Sequence, residues 1–371
     1  MYSRIILLLA LVVGVTSTST RAQVNLPERA RADVGAVYTM SNAANGNQIL
    51  VYDRFPNGRL QAAGSVYSGG NGSGGGLGNQ GALRLTQDQG WLLAVNAGSD
   101  SVSVLQIRER GLLRIDTADS GGSRPVSVTE HGGLVYVLNA GSDSIAGFRL
   151  SRTGRLQPLA GSSRLLSTTG TGPAQIGFSP DGRQLVVTEK ATSRILSFPV
   201  DAFGLPGEAV VTESNGMTPF GFTFGKRNQL FVSEAFGGAA DASATSAYRL
   251  GEDGSLETIV ASAPTNQTAN CWVELTPNGR YAYVTNTGSG TISGYSVGFD
   301  GALSLLDDNG VTASTGGRPI DIALSGNGQF IYALVGGSQQ IVGFRIQPNG
   351  GLIPLAAVDF IPDGAHGLAA R

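Results

Sequence analysis

Two short patterns alternate along this sequence, and together they leave few folds open. The first is an apolar strand that ends on a polar residue, then a Gly/Ser turn, then a second alternating strand. "GRYAYVTNTGSGTISGYSV" (Gly279–Val297) and "GGLVYVLNAGSDSIAGFRL" (Gly132–Leu150) are near-copies of it. Its last polar position falls at Asn42, Asn96, Asn139, Glu189, Glu234, Asn286 and, degenerately, Val335, at spacings of 43–54 residues. The second pattern is Gly-x-Leu after a polar turn: Gly58–Leu60, Gly111–Leu113, Gly154–Leu156, Gly254–Leu256, Gly301–Leu303 and Gly350–Leu352, with a weaker copy at Phe203. Seven interleaved copies of each, at this period and without a helical pattern, predict an all-β, seven-bladed propeller.

One unit can be read in full from Gly172. "PAQIGFS", "QLVVTE", "RILSFPV" and "EAVVTE" are four short strands, separated by "PDGR", "KATS" and "DAFGLPG". Asp-Gly and Asn-Gly turns of this kind join antiparallel neighbours, so each blade should hold four antiparallel strands. The copy from Val34 to Gly64 lacks a first strand, while Gly364–Ala370 reads as a first strand with nothing after it. Pairing the two closes the ring and removes the exposed edges.

The opening "MYSRIILLLALVVGVTSTSTRAQ" has a basic start, an apolar core at Ile5–Val15 and small residues around Arg21, the layout of a secretory leader cleaved after Ala22. The apolar run is shorter than the roughly 20 residues of a membrane span. An exported, secreted or periplasmic protein is expected, with residues 23–371 as one propeller domain; an uncleaved N-terminal anchor is the alternative.

Composition then excludes several functions. Lys and Arg total 25 against 27 Asp and Glu, with no basic stripe, which argues against a nucleic-acid partner. A single cysteine, Cys271, allows no internal disulfide and reads as a small buried hydrophobe. With only His131 and His366, a His-rich metal site or a haem motif is not expected, so neither metal nor cofactor is assigned. His131 stands at the Asp position of a "PDG"-type turn and is read as an exposed turn residue. The Gly-rich Ser68–Gln80 lacks the Lys-Ser/Thr of a phosphate loop and is read as a flexible linker between blades.

In a propeller the first strands line a central channel, and the loops entering them form one mouth where a small ligand can bind. Residues at those positions include Gln80, Arg124, Gln175, Phe220, Asn270, Asp321 or Arg318, and His366, with Glu189 and Glu234 added by the second strands. The alternative is that these groups satisfy one another and bound water.

Three stretches carry a resemblance: "GPAQIGFSPDGRQLVVTEK", "CWVELTPNGRYAYVTNTGSGTISGYSV" and "GGRPIDIALSGNGQFIYALVGGSQQIVGFRI". Over residues 35–371 the chain resembles the seven-bladed propeller lactonase family, which includes bacterial 6-phosphogluconolactonases and fungal carboxymuconate cyclases. It also resembles the broader YVTN-type propellers, whose letters stand at Tyr283–Asn286. The resemblance implies hydrolysis of a sugar or organic-acid lactone; with the leader, an exported protein, expected as a monomer, is the reading. It departs at the site. The family's Gly-Pro-Arg-His is Gly172-Pro173-Ala174-Gln175 here, and its His-Pro-His has no counterpart in "GSRPVSV". Asn-Glu survives in part as Thr188-Glu189, and Arg-Pro as Arg318-Pro319. Lactone hydrolysis needs a base for water and a cation for the oxyanion. The resemblance assigns these roles to Glu189 and Arg318, with His366 standing in for the missing histidines. Gln175, Glu234, Asn270, Asn286 and Arg124 are the expected ligand-binding set for a lactone or an anion. The second hypothesis is a non-catalytic propeller that holds a ligand or a protein partner.

Overall fold

The computed structural model describes residues 35–109 and 111–371; the proposed leader lies outside them. Seven antiparallel sheets form; six are ordered inner strand to outer strand along the chain, and the seventh takes its inner strand from the C-terminal end. Blades 1 to 6 take their inner strands from Leu83–Leu85, Pro125–His131, Pro173–Phe178, Pro219–Phe224, Asn270–Leu275 and Pro319–Leu324. Blade 3 matches the unit read from the sequence: Pro173–Phe178, Gln184–Glu189, Arg194–Pro199 and Val210–Glu213. In blades 2 and 5 the outer strand is broken into two short pieces. The only helical features among the described residues are single 3-10 turns at Lys226–Asn228 and Phe236–Gly238.

Blade 7 is closed as the missing first strand requires. Its inner strand, His366–Ala370, pairs antiparallel with Gly35–Met40, and Gln48–Arg54 and Leu60–Tyr67 complete it. Arg54 Nε donates to the Arg371 carbonyl at 3.0 Å, and Thr39 Oγ1 to the Gly367 carbonyl at 2.7 Å. The pairing corrects one repeat position. Met40 lies opposite His366, as Glu189 lies opposite Pro173 and Asn286 opposite Asn270. Met40, not Asn42, is therefore the blade-7 member of that series.

The Gly-x-Leu repeat has a packing cause. At Gly58, Gly154, Gly204, Gly254, Gly301 and Gly350 the backbone is left-handed, which an L side chain disfavours. A methyl group there would lie 2.3–2.9 Å from side chains of the preceding blade, such as Trp91, Phe330 or Tyr281. Tyr136, Tyr283 and Tyr332 also bond across blades, their hydroxyls donating to the carbonyls of Gly204, Gly350 and Gly58 at 2.7–2.8 Å. The repeat thus marks where one blade's turn docks against an aromatic or aliphatic side chain of the preceding blade.

Neighbouring inner strands do not pair with each other, so side chains satisfy their backbone groups. Ser127 Oγ accepts from Ile176 N, and Ser233 Oγ donates to the Cys271 carbonyl. His131 differs from expectation. It ends an inner strand, is half-buried, and packs 5.8 Å from the Phe178 ring with Nδ1 2.9 Å from Gln87 Nε2. It left the turn because Gly132–Gly133 supply the left-handed residues instead.

Candidate functional site

The channel mouth is filled by the chain itself. The Gly-rich loop is not a free linker. Asn42 Nδ2 donates to the Gly75 carbonyl at 2.6 Å, and its Oδ1 accepts from Ser73 N at 2.9 Å. Gly72 passes so close that a methyl group would lie 2.1 Å from the Asn42 carbonyl carbon. Here glycine serves close approach, not flexibility. The segment then turns inward as a plug spanning several blades. Asn79 Nδ2 donates to the Val126 carbonyl of blade 2, and Gln80 N to the Ala174 carbonyl of blade 3 at 3.0 Å. Trp272 Nε1 of blade 5 donates to the Asn79 carbonyl at 2.8 Å. The Gln80 amide clasps Val273 of blade 5, donating to its carbonyl at 3.0 Å and accepting from its N–H at 3.1 Å.

Around this plug stand groups with unusual electrostatics. Lys190 Nζ donates to the carbonyls of Gly78 and Pro173, and lies 5.1 Å from the centre of the Phe220 ring. Burial, opposed by Cys271 and reinforced by the charge of Arg124, pulls its ammonium down to about 8. The Phe220 ring packs 4.8 Å from Trp272, and Trp272 lies 6.4 Å from His366. His366 is 3% exposed, and neither ring nitrogen has a partner among the described residues. Desolvation, opposed by the Ala365 backbone and reinforced by the Lys190 charge, pushes its imidazole down to about 4, so it is neutral at pH 7. Cys271 is buried as expected, and burial raises its thiol to about 11.

The sequence-predicted residues fall into three groups. His366 lies at the plugged mouth. Arg124 and Arg318 stand exposed, one residue before the inner strands of blades 2 and 6, on the face where the plug enters. The others are engaged by the fold. Glu189, fully buried, accepts from Ser167 N, Ser167 Oγ and Thr192 Oγ1 at 2.5–3.0 Å. Glu234, also buried, accepts from Gly216 N, Ser246 Oγ and Ser262 Oγ at 2.6–2.8 Å. Asn286 donates to Thr291 Oγ1 and Ser293 Oγ, and Asn270 to the Ala244 carbonyl and Thr245 Oγ1. Gln175 clasps Phe222 of the next blade through both its N–H and its carbonyl, at 2.7 and 3.0 Å. In blades 1 to 5 the end of the second strand is thus a staple position, filled by Asn or Glu, whereas blades 6 and 7 carry apolar Val335 and Met40 there.

Sequence reasoning missed Lys190. The signal was available: the chain has only two lysines, and the six equivalent positions hold Ser41, Ala97, Ala140, Ala235, Thr287 and Gly336. It also missed Glu274, a half-buried inner-strand carboxyl that burial raises to about 7 against the pull of Arg84. Two surface grooves lie away from the channel: one of about 660 Å³ beside Phe55–Gln61 and one of about 420 Å³ along Phe148 and Pro158. Among the described residues no three His, Cys, Asp or Glu side chains converge as a metal site would require.

Fold and mouth together define a seven-bladed propeller with a polar, partly cationic axial mouth. The chain belongs to the lactonase family of seven-bladed β-propellers, whose family model matches residues 43–268 and 250–361. No curated protein matches the sequence. Among solved structures it is similar to a candidate 6-phosphogluconolactonase from Bacteroides uniformis (20% identity, TM-score 0.74, covering 91% of this chain and 100% of that one). A second candidate 6-phosphogluconolactonase, from Bacteroides fragilis, is 18% identical with a TM-score of 0.70, over 91% of this chain and 98% of that one. A periplasmic gluconolactonase from Pseudomonas aeruginosa is 16% identical with a TM-score of 0.71, over 91% of this chain and 99% of that one.

Proposed function

We propose that this protein is an exported lactonase-like hydrolase acting at the plugged channel mouth on a sugar or organic-acid lactone. The observation that carries the reading is His366: buried, neutral at pH 7, its ring nitrogens without a side-chain partner among the described residues, and within the field of the Lys190 ammonium. Water adds to the lactone carbonyl while a base takes its proton. The acyl C–O bond then breaks, and the ring oxygen leaves as a hydroxyl after taking a proton. An unpartnered imidazole can accept the proton of water. Lys190, with Arg124 and Arg318 at the rim, offers positive charge to the oxyanion and the carboxylate product. Glu189, the family-derived base, is tested directly against His366. Export is supported by the leader-like opening and by the periplasmic relative. No helix among the described residues is long and apolar enough to cross a membrane.

The test is lactone opening followed by pH-stat over a panel that includes glucono-1,5-lactone. His366→Asn and Lys190→Met are each expected to lower kcat about 100-fold with the fold intact. Loss of activity in folded Glu189→Gln, with His366→Asn unaffected, would move the base to Glu189. The second reading is a non-catalytic ligand-binding propeller, favoured by one observation: both buried glutamates are already saturated by the chain's own donors. Absence of turnover across the panel, with gluconate still bound, decides for it.

A further inference from the structure

The plug places peptide oxygens on the donors that a ligand would need. The Gly78 carbonyl sits on the Lys190 ammonium and the Asn79 carbonyl on the Trp272 indole N–H. His366, 6.4 Å from that indole, has two ring nitrogens with no partner among the described residues, although it is 97% buried. A buried polar group left unpaired costs about 1–3 kcal/mol. The plugged mouth therefore holds a hydrogen-bonding group that the described residues leave unsatisfied.

We infer that Leu77–Gln80 is a displaceable lid whose carbonyls occupy the oxygen positions of a small hydroxycarboxylate or its lactone. When the lid lifts, a ligand carboxylate takes the place of the Gly78 carbonyl on Lys190, and a hydroxyl reaches His366. The exchange favours the ligand because a carboxylate brings a full negative charge to the Lys190 ammonium where the Gly78 carbonyl brings only a dipole. The chain offers hinges on both sides. Gly75 and Gly76 have open space around them, and Gly81 is left-handed with φ +83°. The identity of the ligand rests on the proposed lactonase reading; the lid does not.

Cys271 is a built-in reporter. It is the only cysteine and is 7% exposed, and the plug lies against its surroundings: Trp272 caps the Asn79 carbonyl, and Gln80 clasps Val273. The experiment is alkylation of native protein by N-ethylmaleimide. Asn42→Ala, which removes the loop's side-chain tie to blade 7, and Gln80→Ala, which removes the plug's side-chain clasp on Val273, should each speed alkylation about tenfold, more than the accompanying fall in global stability accounts for. A rate equal to wild type, or one that tracks global unfolding in urea, overturns the lid. If either variant fails to fold, hydrogen exchange of the wild type decides. The Gln80 amide should exchange through a small opening with a shallower urea dependence than the Gln184–Glu189 amides, and an equal dependence overturns the lid. Gluconate should slow alkylation by taking the plug's place over the Cys271 strand. Fast alkylation that ignores gluconate supports the lid, overturns the ligand assignment and leaves the lactonase reading to the pH-stat result.

Discussion

Blade 3 and blade 7 have the same strand order and opposite chain histories. Blade 3 is one continuous segment, and its inner strand reaches the next strand through the Ser179–Arg183 turn. Blade 7 joins residues 35–67 to residues 366–370, so its inner strand is held by contacts rather than by a short tether. The buried groups differ too. The junction after blade 3 is bridged by neutral Gln175. The junction into blade 7 holds Asp321 and His366, both buried and both titratable. Closure is therefore where the ring depends most on non-local contacts and on pH.

The harshest way to break the comparison is to remove the closing strand. Deleting residues 364–371 takes away the partner of Gly35–Met40, buried Leu368 and the Arg54 clamp. The truncated chain is expected to lose its cooperative melt and to aggregate through the exposed strand edge. Circular dichroism and size-exclusion chromatography check this, and an unchanged Tm refutes it.

The next effect comes from His366. Its folded imidazole titrates near 4, below the unfolded value near 6.5. Above pH 6.5 both states are neutral, and the full stability is present. As pH falls toward 4 the unfolded chain binds a proton that the folded chain refuses, so stability falls by about 1.4 kcal/mol per pH unit, about 3 kcal/mol in all. His366→Phe should flatten urea-derived stability between pH 6.5 and 4. An equal slope in wild type and variant would assign the acid sensitivity elsewhere.

Much of this architecture is legible in the sequence because its causes are local and repeated. Turn glycines and second-strand tyrosines recur at fixed offsets, and the orphan strand at Gly364–Ala370 stands out against them. The site is less legible because its causes are singular and distant. Gln80 clasps Val273 across 193 residues, and nothing in "GGNGSGGGLGNQ" distinguishes glycine for close approach from glycine for freedom. Glu189 and Glu234 read as chemistry because they depart from Asn in the repeat. Their partners, Ser167 and Thr192 in one case and Ser246 and Ser262 in the other, show the departure to be a change of staple. Lys190 was hidden for the opposite reason: it lies one residue beyond the repeated position.

The finest distinction between the two junctions lies in one pair of equivalent residues. Gln175 faces Thr188 across its blade as Asp321 faces Leu334. The Gln175 amide both gives and takes a hydrogen bond with Phe222, so Gln175→Ala should cost about 2 kcal/mol by leaving a buried N–H and carbonyl unpaired, equally at every pH. Asp321 accepts from Ile322 N at 2.8 Å, and an ionised carboxylate has no proton to give. Burial raises its carboxyl well above the ordinary range, and the nearby Glu274 raises it further, against backbone donors at Ile322 and Leu368 and the Arg84 charge. Below about pH 4 both folded and unfolded states are protonated, and the group carries no penalty. As pH rises past that value the unfolded chain ionises first, so stability declines up to the raised folded pKa. Asp321→Asn should therefore stabilise the protein at pH 7 by about 1 kcal/mol, the scale of one buried hydrogen bond, with the gain shrinking as pH falls to 4. Paired urea titrations of Gln175→Ala and Asp321→Asn at pH 4 and pH 7 separate the two junctions. A pH-dependent loss in the first or a pH-independent change in the second would show that the residues are not doing the different jobs their chemistry implies.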